Sequence, residues 1–386
     1  MTTTTTSQAN PCDLLCVVGA RPNFMKIAPI AAALAAHAPG LRVGLLHTGQ
    51  HYDAAMNHQY FEALGIPAPD INLEVGSGTH AQQTAEVMRR FEPALDACGA
   101  RSVLVVGDVN STIACALVAV KKNIPVIHVE AGLRSFDRGM PEEINRILTD
   151  QISDLLFTSE QGARANLLRE GIREEAIRFA GNVMIDTLRA NLDRALPLSR
   201  IVPPELRERH GLTGKQYAVV TLHRPANVDD PAVLASLVDT LVETSKRLPV
   251  IFPMHPRTRS MLERASLLEA LERGRVAVLP PQGYLEMLGL MKDATVVLTD
   301  SGGIQEETTA LGVPCITLRE STERPVTVDE GTNTIAGTEP RVILGLVEEV
   351  LSTGGKRGKI PEGWEGKASV RIAVAIRDWM SRGCKA

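Results

Sequence analysis

The sequence predicts an α/β protein of two doubly wound, Rossmann-like domains with a cleft between them. Three observations carry this. Apolar runs of about 5–7 residues recur along the chain without the alternation of a one-sided sheet, as buried parallel strands require. Helical patterns of about ten residues or more separate them, long enough for right-handed crossovers. A strandless stretch rich in proline and charge, "LRANLDRALPLSRIVPPELRERHGLTGKQ", falls near the middle and marks a domain boundary.

In chain order, "DLLCVVG", "RVGLLHTG", "SVLVVGD", "PVIHVE", "DLLFTS" and "IRFAGN" read as the buried strands of the first half. "YAVVTLH", "PVIFPMH", "VAVLPP", "ATVVLTD" and "PCITL" do the same in the second. Residues 13–190 thus form the first domain and 191–365 the second. The amphipathic "SVRIAVAIRDWM" predicts a helix within 366–386 that packs back onto the first domain. Residues 1–12 read as a disordered lead-in, because "MTTTTTSQANP" lacks the charged start and apolar core of a secretory signal.

The bulk numbers exclude several classes of partner. A chain of 386 residues is too long for one ordinary core and suits two. It is 44% hydrophobic and 22% charged, the balance of a globular protein. A net charge of -4 gives no electrostatic reason for nucleic acid or an anionic membrane as partner. Aromatics at 3% leave little for a base-stacking surface. No run of roughly 18 apolar residues is present to span a bilayer. Cys12, Cys16, Cys98, Cys115, Cys315 and Cys384 are scattered without zinc-ribbon spacing and read as structural thiols in a reducing cytoplasm.

Ligands of doubly wound sheets bind at the carboxyl ends of strands, so the residues that follow strands carry the information. In "GARPNFMKIAPI", Gly19 permits a turn, and Arg21 and Lys26 flank a helix start, an arrangement suited to an anion. The G-x-G-x-x-G spacing of a dinucleotide site is absent. "HTGQHYD" sets His47 and His51 about a glycine turn with no third metal ligand at sensible spacing, so both read as polar lining rather than as a metal site. Asp108 follows "SVLVVG" directly, as a helix cap or as an acid. Glu130 closes "PVIHV", where a carboxylate needs a reason. Pro141 begins a helix, with Glu142 and Glu143 either complementing its dipole or facing the cleft. Asp108, Glu130 and Glu142 therefore gather on one sheet, and crowded carboxylates raise one another's pKa, which suits acid–base chemistry. In the second half His223, followed by Arg224, ends a strand and either titrates near neutral pH or sits in the core.

The stretch "TDSGGIQEE" combines two kinds of group. Ser301, Gly302 and Gly303 offer amides at a helix N-terminus, and Arg324 can add charge-assisted bonds. Carboxylates also lie there: Asp300 before the turn, Glu306 and Glu307 after it. A phosphate alone does not call for acids. A nucleoside diphosphate does, with Glu307 on the ribose hydroxyls and Gln282, after a neighbouring strand, on the base.

Together these motifs resemble the non-hydrolysing UDP-N-acetylglucosamine 2-epimerases, over nearly the whole chain from "GARPNFMK" to "TERP". The most specific pieces are "HTGQHYD", "HVEAGLRSFDRGMPEEINR" and "LTDSGGIQEE…GVP…RESTERP", in this order and spacing. The resemblance implies a GT-B-like fold with its active site in the cleft. It implies reversible inversion at C2 between UDP-GlcNAc and UDP-ManNAc, in which UDP is eliminated to give 2-acetamidoglucal and added back. It also implies a UDP-sugar as partner, no cofactor, a homodimer, and a place in polysaccharide biosynthesis. Carried over by motif, Asp108, Glu130, Glu142 and His223 form the catalytic set, while Arg21, Lys26, Gln282, Ser301, Gly302, Gly303, Glu307 and Arg324 hold UDP. Relatives that act on UDP-2,3-diacetamido-2,3-dideoxyglucuronic acid share "SFDR…PEEINR", which makes that sugar the alternative substrate. A GT-B glycosyltransferase and a non-catalytic UDP-sugar sensor are the other rivals. The three acids of the first half argue against the former, and the intact catalytic set against the latter. The chain departs from many bacterial members at Asp53, at Pro225 and Ala226, and at Val326.

Overall fold

The apolar runs form parallel strands because each can bury both faces only between two layers of helix. In the computed structural model, which describes residues 11–49, 64–212, 214 and 216–384, the chain divides into two units. One is Met1–Arg189 with Glu362–Ala386, the other Ala190–Pro361. The predicted lead-in falls largely on residues 1–10, outside the described residues. Cys12, by contrast, is built into the first unit: it is buried, and its N–H donates to the Cys98 carbonyl at 3.0 Å.

In the first unit, β1 (Leu14–Val18), β2 (Val43–His47), β3 (Ile71–Asn72), β4 (Ser102–Val106), β5 (Val126–Val129), β6 (Leu155–Thr158) and β7 (Ile177–Phe179) form one sheet in the order β3-β2-β1-β4-β5-β6-β7. In the second, β8 (Ala218–Thr221), β9 (Val250–Pro253), β10 (Val276–Leu279), β11 (Val296–Thr299), β12 (Cys315–Thr317) and β13 (Asn333–Ile335) form another, ordered β10-β9-β8-β11-β12-β13. All pairings among the described residues are parallel. The central strands β1 and β4 are buried along their whole length. β3 and β13 answer to no apolar run in the sequence. Both are short edge strands with a neighbour on one side only, so they need little apolar content.

Each strand order reverses direction once, between β1 and β4 and between β8 and β11. At such a point the loops after neighbouring strands diverge to opposite faces and leave a crevice at the carboxyl ends. Helix α1 (Arg21–His37) leaves β1 through a turn locked by Asn23. The Asn23 Oδ1 accepts from the amides of Gly19 and Ala20, and its Nδ2 donates to the Val106 carbonyl at the end of β4. Other helices of this unit include α2 (His80–Cys98), α3 (Asn110–Lys121) and α4 (Pro141–Ile152). The second unit carries α5 (Tyr284–Lys292) and α6 (Gly302–Leu311) near its own crevice. The last helix, α7 (Ala368–Ser381), lies along α1. Asp186 caps it, accepting from the amides of Ala368 and Ser369 at 3.1 and 2.7 Å. Trp364 and Trp379 are fully buried on either side of that cap.

Gly132, just past β5, adopts φ +80°, and a Cβ there would stand 2.5 Å from the Ala163 carbonyl oxygen and 2.9 Å from Leu167 Cγ. Gly132→Ala combines a left-handed backbone with a clash against fixed backbone. It is expected to cost on the order of 2 kcal/mol or more in urea unfolding. A loss within experimental error would contradict this packing.

Candidate active site

At the first crevice the turn after β4 is fixed from several sides. The Val106 carbonyl accepts from Asn23 Nδ2 and from Thr112 Oγ1, each at 3.0 Å. The Gly107 N–H donates to the Val129 carbonyl at 3.0 Å, and the Asp108 carbonyl accepts from Asn145 Nδ2 at 2.9 Å. Gly107 turns at φ +66°, and a Cβ on it would lie 2.8 Å from Lys26 Nζ, so the position requires glycine. The Asp108 carboxylate receives Arg146 Nη2 at 2.6 Å and Nε at 3.2 Å.

Glu130 ends β5 in the left-handed region, at φ 72°, a conformation a glutamate adopts only under constraint. Its carboxylate forms an ion pair with Lys26 and both side chains are 6% exposed. Asp108 and Glu130 are thus each matched to a cation, where the sequence reading expected mutually crowded acids. The reason is that a carboxylate withdrawn from water requires a partner. Lys26, expected as an anion hook at a helix start, pairs with Glu130. Arg21 begins α1, and its side chain lies outside the described residues, as does His51. His47 is buried with its ring 5.4 Å from that of Phe24.

Of the two glutamates that open α4, Glu143 is buried and Glu142 half-buried. Glu143 clasps the preceding loop. Its Oε2 accepts from the amide and hydroxyl of Ser135 at 2.9 Å, and its Oε1 from the Phe136 amide at 3.0 Å. Arg146 closes the set with a 2.5 Å contact to Glu143. Glu142, one position earlier, is the more exposed of the two.

In the second unit, β8 and β11 run side by side with Thr221 opposite Thr299. This register brings His223 onto Asp300. The Asp300 carboxylate, fully buried, accepts from the amides of His223 and Arg224 at 2.9 Å and faces His223 Nδ1 at 2.9 Å. Burial alone would raise its pKa, but the His223 and Arg224 hydrogen bonds outweigh that and hold it below the ordinary carboxylate value. An ionised Asp300 fixes the Nδ1–H tautomer of His223 and leaves Nε2 directed away from it. The sequence reading noticed Asp300 but gave it no task. The available signal was the one that flagged Glu130, a carboxylate closing an apolar strand.

Helix α6 starts from Ser301. The Ser301 amide donates to Thr299 Oγ1 at 3.0 Å, so of the three residues expected to offer amides, Gly302 and Gly303 keep theirs for the helix terminus. A Cβ on Gly302 would meet Glu323 Oε1 at 2.5 Å. Glu323 sits between Arg319, at 2.8 Å, and Arg224, at 3.8 Å. Burial opposes its charge, yet Arg324, Arg319 and Arg224 hold its carboxyl far below the ordinary range. Arg324 is itself buried and bonds Glu306 at 2.8 Å. Glu307, next along, is different. Burial pushes it up to about 8, the Glu306 charge adds to this, and a Tyr284 hydrogen bond opposes it. Gln282 does not follow a neighbouring strand as expected, since β9 and β8 separate β10 from β11. Its Nε2 donates to the Pro280 carbonyl at 2.8 Å. What links this segment to α6 is the crossover helix α5, whose first residue, Tyr284, reaches Glu307.

Comparison with known proteins places these residues in context. The family model described as UDP-N-acetylglucosamine 2-epimerase matches residues 33–377. The UDP-N-acetylglucosamine 2-epimerase of Methanococcus maripaludis is 42% identical over 347 residues, covering 87% of this chain and 91% of that protein. The UDP-2,3-diacetamido-2,3-dideoxy-D-glucuronate 2-epimerase of Pseudomonas aeruginosa is 41% identical over 367 residues, covering 93% and 98%. The crystal structure of Methanocaldococcus jannaschii UDP-GlcNAc 2-epimerase in complex with UDP-GlcNAc and UDP aligns with a TM-score of 0.85 at 41% identity, covering 94% of this chain and 99% of that one.

The elevated Glu307 has a measurable consequence. Its pKa rises from 4.5 to about 8 on folding, so between those values the folded chain keeps a proton that the unfolded chain has released. Stability must then fall as pH rises through that window. Glu307→Gln carries no charge at any pH, and its urea-unfolding stability is expected to fall less between about pH 5 and 8 than that of the wild type. Parallel curves would mean that Glu307 is ionised in the folded protein.

Proposed function

The chain belongs to the UDP-N-acetylglucosamine 2-epimerase family, and from that premise we propose that it interconverts UDP-GlcNAc and UDP-ManNAc by inverting C2 of the sugar. The observation that supports this best lies in the second unit. A helix N-terminus opened by Gly302 and Gly303 stands beside a buried carboxyl, Glu307, and a buried guanidinium, Arg324. Phosphates take the amides and the cation. A protonated Glu307 both donates to and accepts from ribose hydroxyls, a pairing an ionised one cannot make. Arg21, Lys26, Gln282 and Ser301 complete the proposed UDP set.

The C2 proton is not acidic, because no carbonyl adjoins it. In the proposed route a base removes that proton as the C1–O bond breaks, and the bond's electron pair leaves with UDP. The product, 2-acetamidoglucal, then takes UDP back at C1 and a proton at C2 on the opposite face. Asp108, Glu130 and Glu142 move the protons on the sugar. His223, supported at Nδ1 by Asp300, stabilises the departing diphosphate through Nε2. No electrons are exchanged with an outside carrier, so the route needs no cofactor.

The same reading places the enzyme in the cytoplasm as a homodimer that supplies polysaccharide synthesis. Among the described residues no helix is long and apolar enough to cross a membrane. A second reading keeps the chemistry and changes the sugar to UDP-2,3-diacetamido-2,3-dideoxyglucuronic acid. The 41% identity to the Pseudomonas aeruginosa enzyme favours it.

Proton NMR of UDP-GlcNAc with the protein in deuterium oxide is expected to show UDP-ManNAc deuterated at C2. Free UDP with ManNAc would indicate hydrolysis instead, and no change would direct the test to the diacetamido uronic acid. Asp108→Asn is expected to lower kcat on the order of a hundredfold or more, with UDP affinity kept within about twofold. Undiminished turnover would remove Asp108 from the chemistry.

A further inference from the structure

We infer that His128 is a buried imidazolium cation that positions the turn bearing Asp108. His128 lies on β5, two residues before Glu130, and its side chain is fully enclosed. Its Nδ1 lies 2.7 Å from Asp150 Oδ1, and its Nε2 lies 2.9 Å from the Gly107 carbonyl oxygen. A carboxylate oxygen and a backbone carbonyl oxygen only accept. A neutral imidazole carries one N–H, so it would aim a lone pair at one of these oxygens, at hydrogen-bond distance and without water. A ring protonated on both nitrogens satisfies both contacts.

The surrounding charges favour the same state. Asp150 Oδ2 is taken up by the Gly132 amide at 3.0 Å and by Arg134 Nη2 at 2.7 Å, which leaves Oδ1 as the acceptor that faces the ring. Arg134 also bonds Glu170 at 2.5 Å. A protonated His128 sets a second cation against the buried Asp150, beside Arg134, whose other partner, Glu170, is partly exposed.

The consequence reaches Asp108. Residues of α1, α3, α4 and β5 bind the Val106 carbonyl, the Gly107 N–H and the Asp108 carbonyl, and His128 binds the remaining backbone acceptor, the Gly107 carbonyl. Helix α4 braces this turn three times, with Asn145 on the Asp108 carbonyl, Arg146 on the Asp108 carboxylate and, four residues on, Asp150 on His128. His128 acts through the backbone and is a positioning residue. Its effect on turnover rests on the epimerase reading, whereas its protonation does not.

The test uses full-length protein with 15N-labelled histidine. Long-range 1H–15N spectra at about pH 8, above the range where an ordinary histidine loses its proton, are expected to show one ring with both nitrogens protonated. A His128→Gln sample, lacking that signal, assigns it. If every ring shows an unprotonated nitrogen, the inference is wrong, whatever the activity. Asp150→Asn removes the counter-charge. It is expected to shift the ring to a neutral form and lower kcat on the order of tenfold, while KM stays within about twofold. Unchanged kcat in a folded Asp150→Asn would overturn the positioning role. A wild type that turns over neither UDP-sugar would sink the epimerase reading and leave the ring spectrum decisive on its own.

Discussion

A carboxylate at the buried end of a parallel strand has lost its water, and the rest of each crevice is arranged around restoring a partner to it. Glu130 takes Lys26, Asp300 takes two amides and His223, and Asp108, which keeps partial exposure, takes the buried Arg146. These pairings determine more than charge balance. Gly107 turns at φ +66°, a backbone that favours glycine, and a Cβ there would press on the Lys26 ammonium that Glu130 holds. Asp300 selects the tautomer of His223. Arg146 ties α4 to the end of β4. Chemistry that moves protons needs acids held at fixed positions, and each of these acids is held by its counter-charge.

Glu307 is the exception that fits the proposed ligand. It stands one residue from Glu306, which pairs with Arg324, and burial raises its own pKa to about 8. Two adjacent glutamates thus sit in different surroundings, one against a guanidinium and the other against a tyrosine hydroxyl in a dry pocket. An arrangement that holds one acid neutral beside a helix N-terminus suits a ligand with both phosphates and hydroxyls. It serves inorganic phosphate poorly.

Much of the fold was legible because parallel strands buried on both faces write long apolar runs, as in "LLCVV" and "SVLVV". β3 and β13 were not, since "IN" and "NTI" hold one apolar residue each and leave no such run. The site was legible residue by residue, through carboxylates and glycines at strand ends. Its pairings were not. Nothing in the sequence says that Lys26 meets Glu130, because that contact depends on how distant strands are ordered, whereas the bond from the Ser301 amide to Thr299 Oγ1, two residues back, is a local turn contact that the strand-and-helix pattern does not reveal. Gln282 shows the same limit: strand order, which the sequence does not state, puts β10 away from β11. His128 was hidden differently, as one polar letter inside "PVIHVE", read as strand.

The central claim is that C2 inverts through cleavage of the bond between C1 and the diphosphate oxygen. Positional isotope exchange tests it most directly. UDP-GlcNAc carrying 18O only in the bridge between C1 and the β-phosphorus would be incubated with the protein, and the recovered UDP-sugars examined by 31P NMR. The account expects the label to move from the bridge into the non-bridging β-phosphate positions, because UDP released as a free diphosphate can rotate before it is added back. UDP-ManNAc formed with all of its 18O still in the bridge, even at full equilibration, would contradict it.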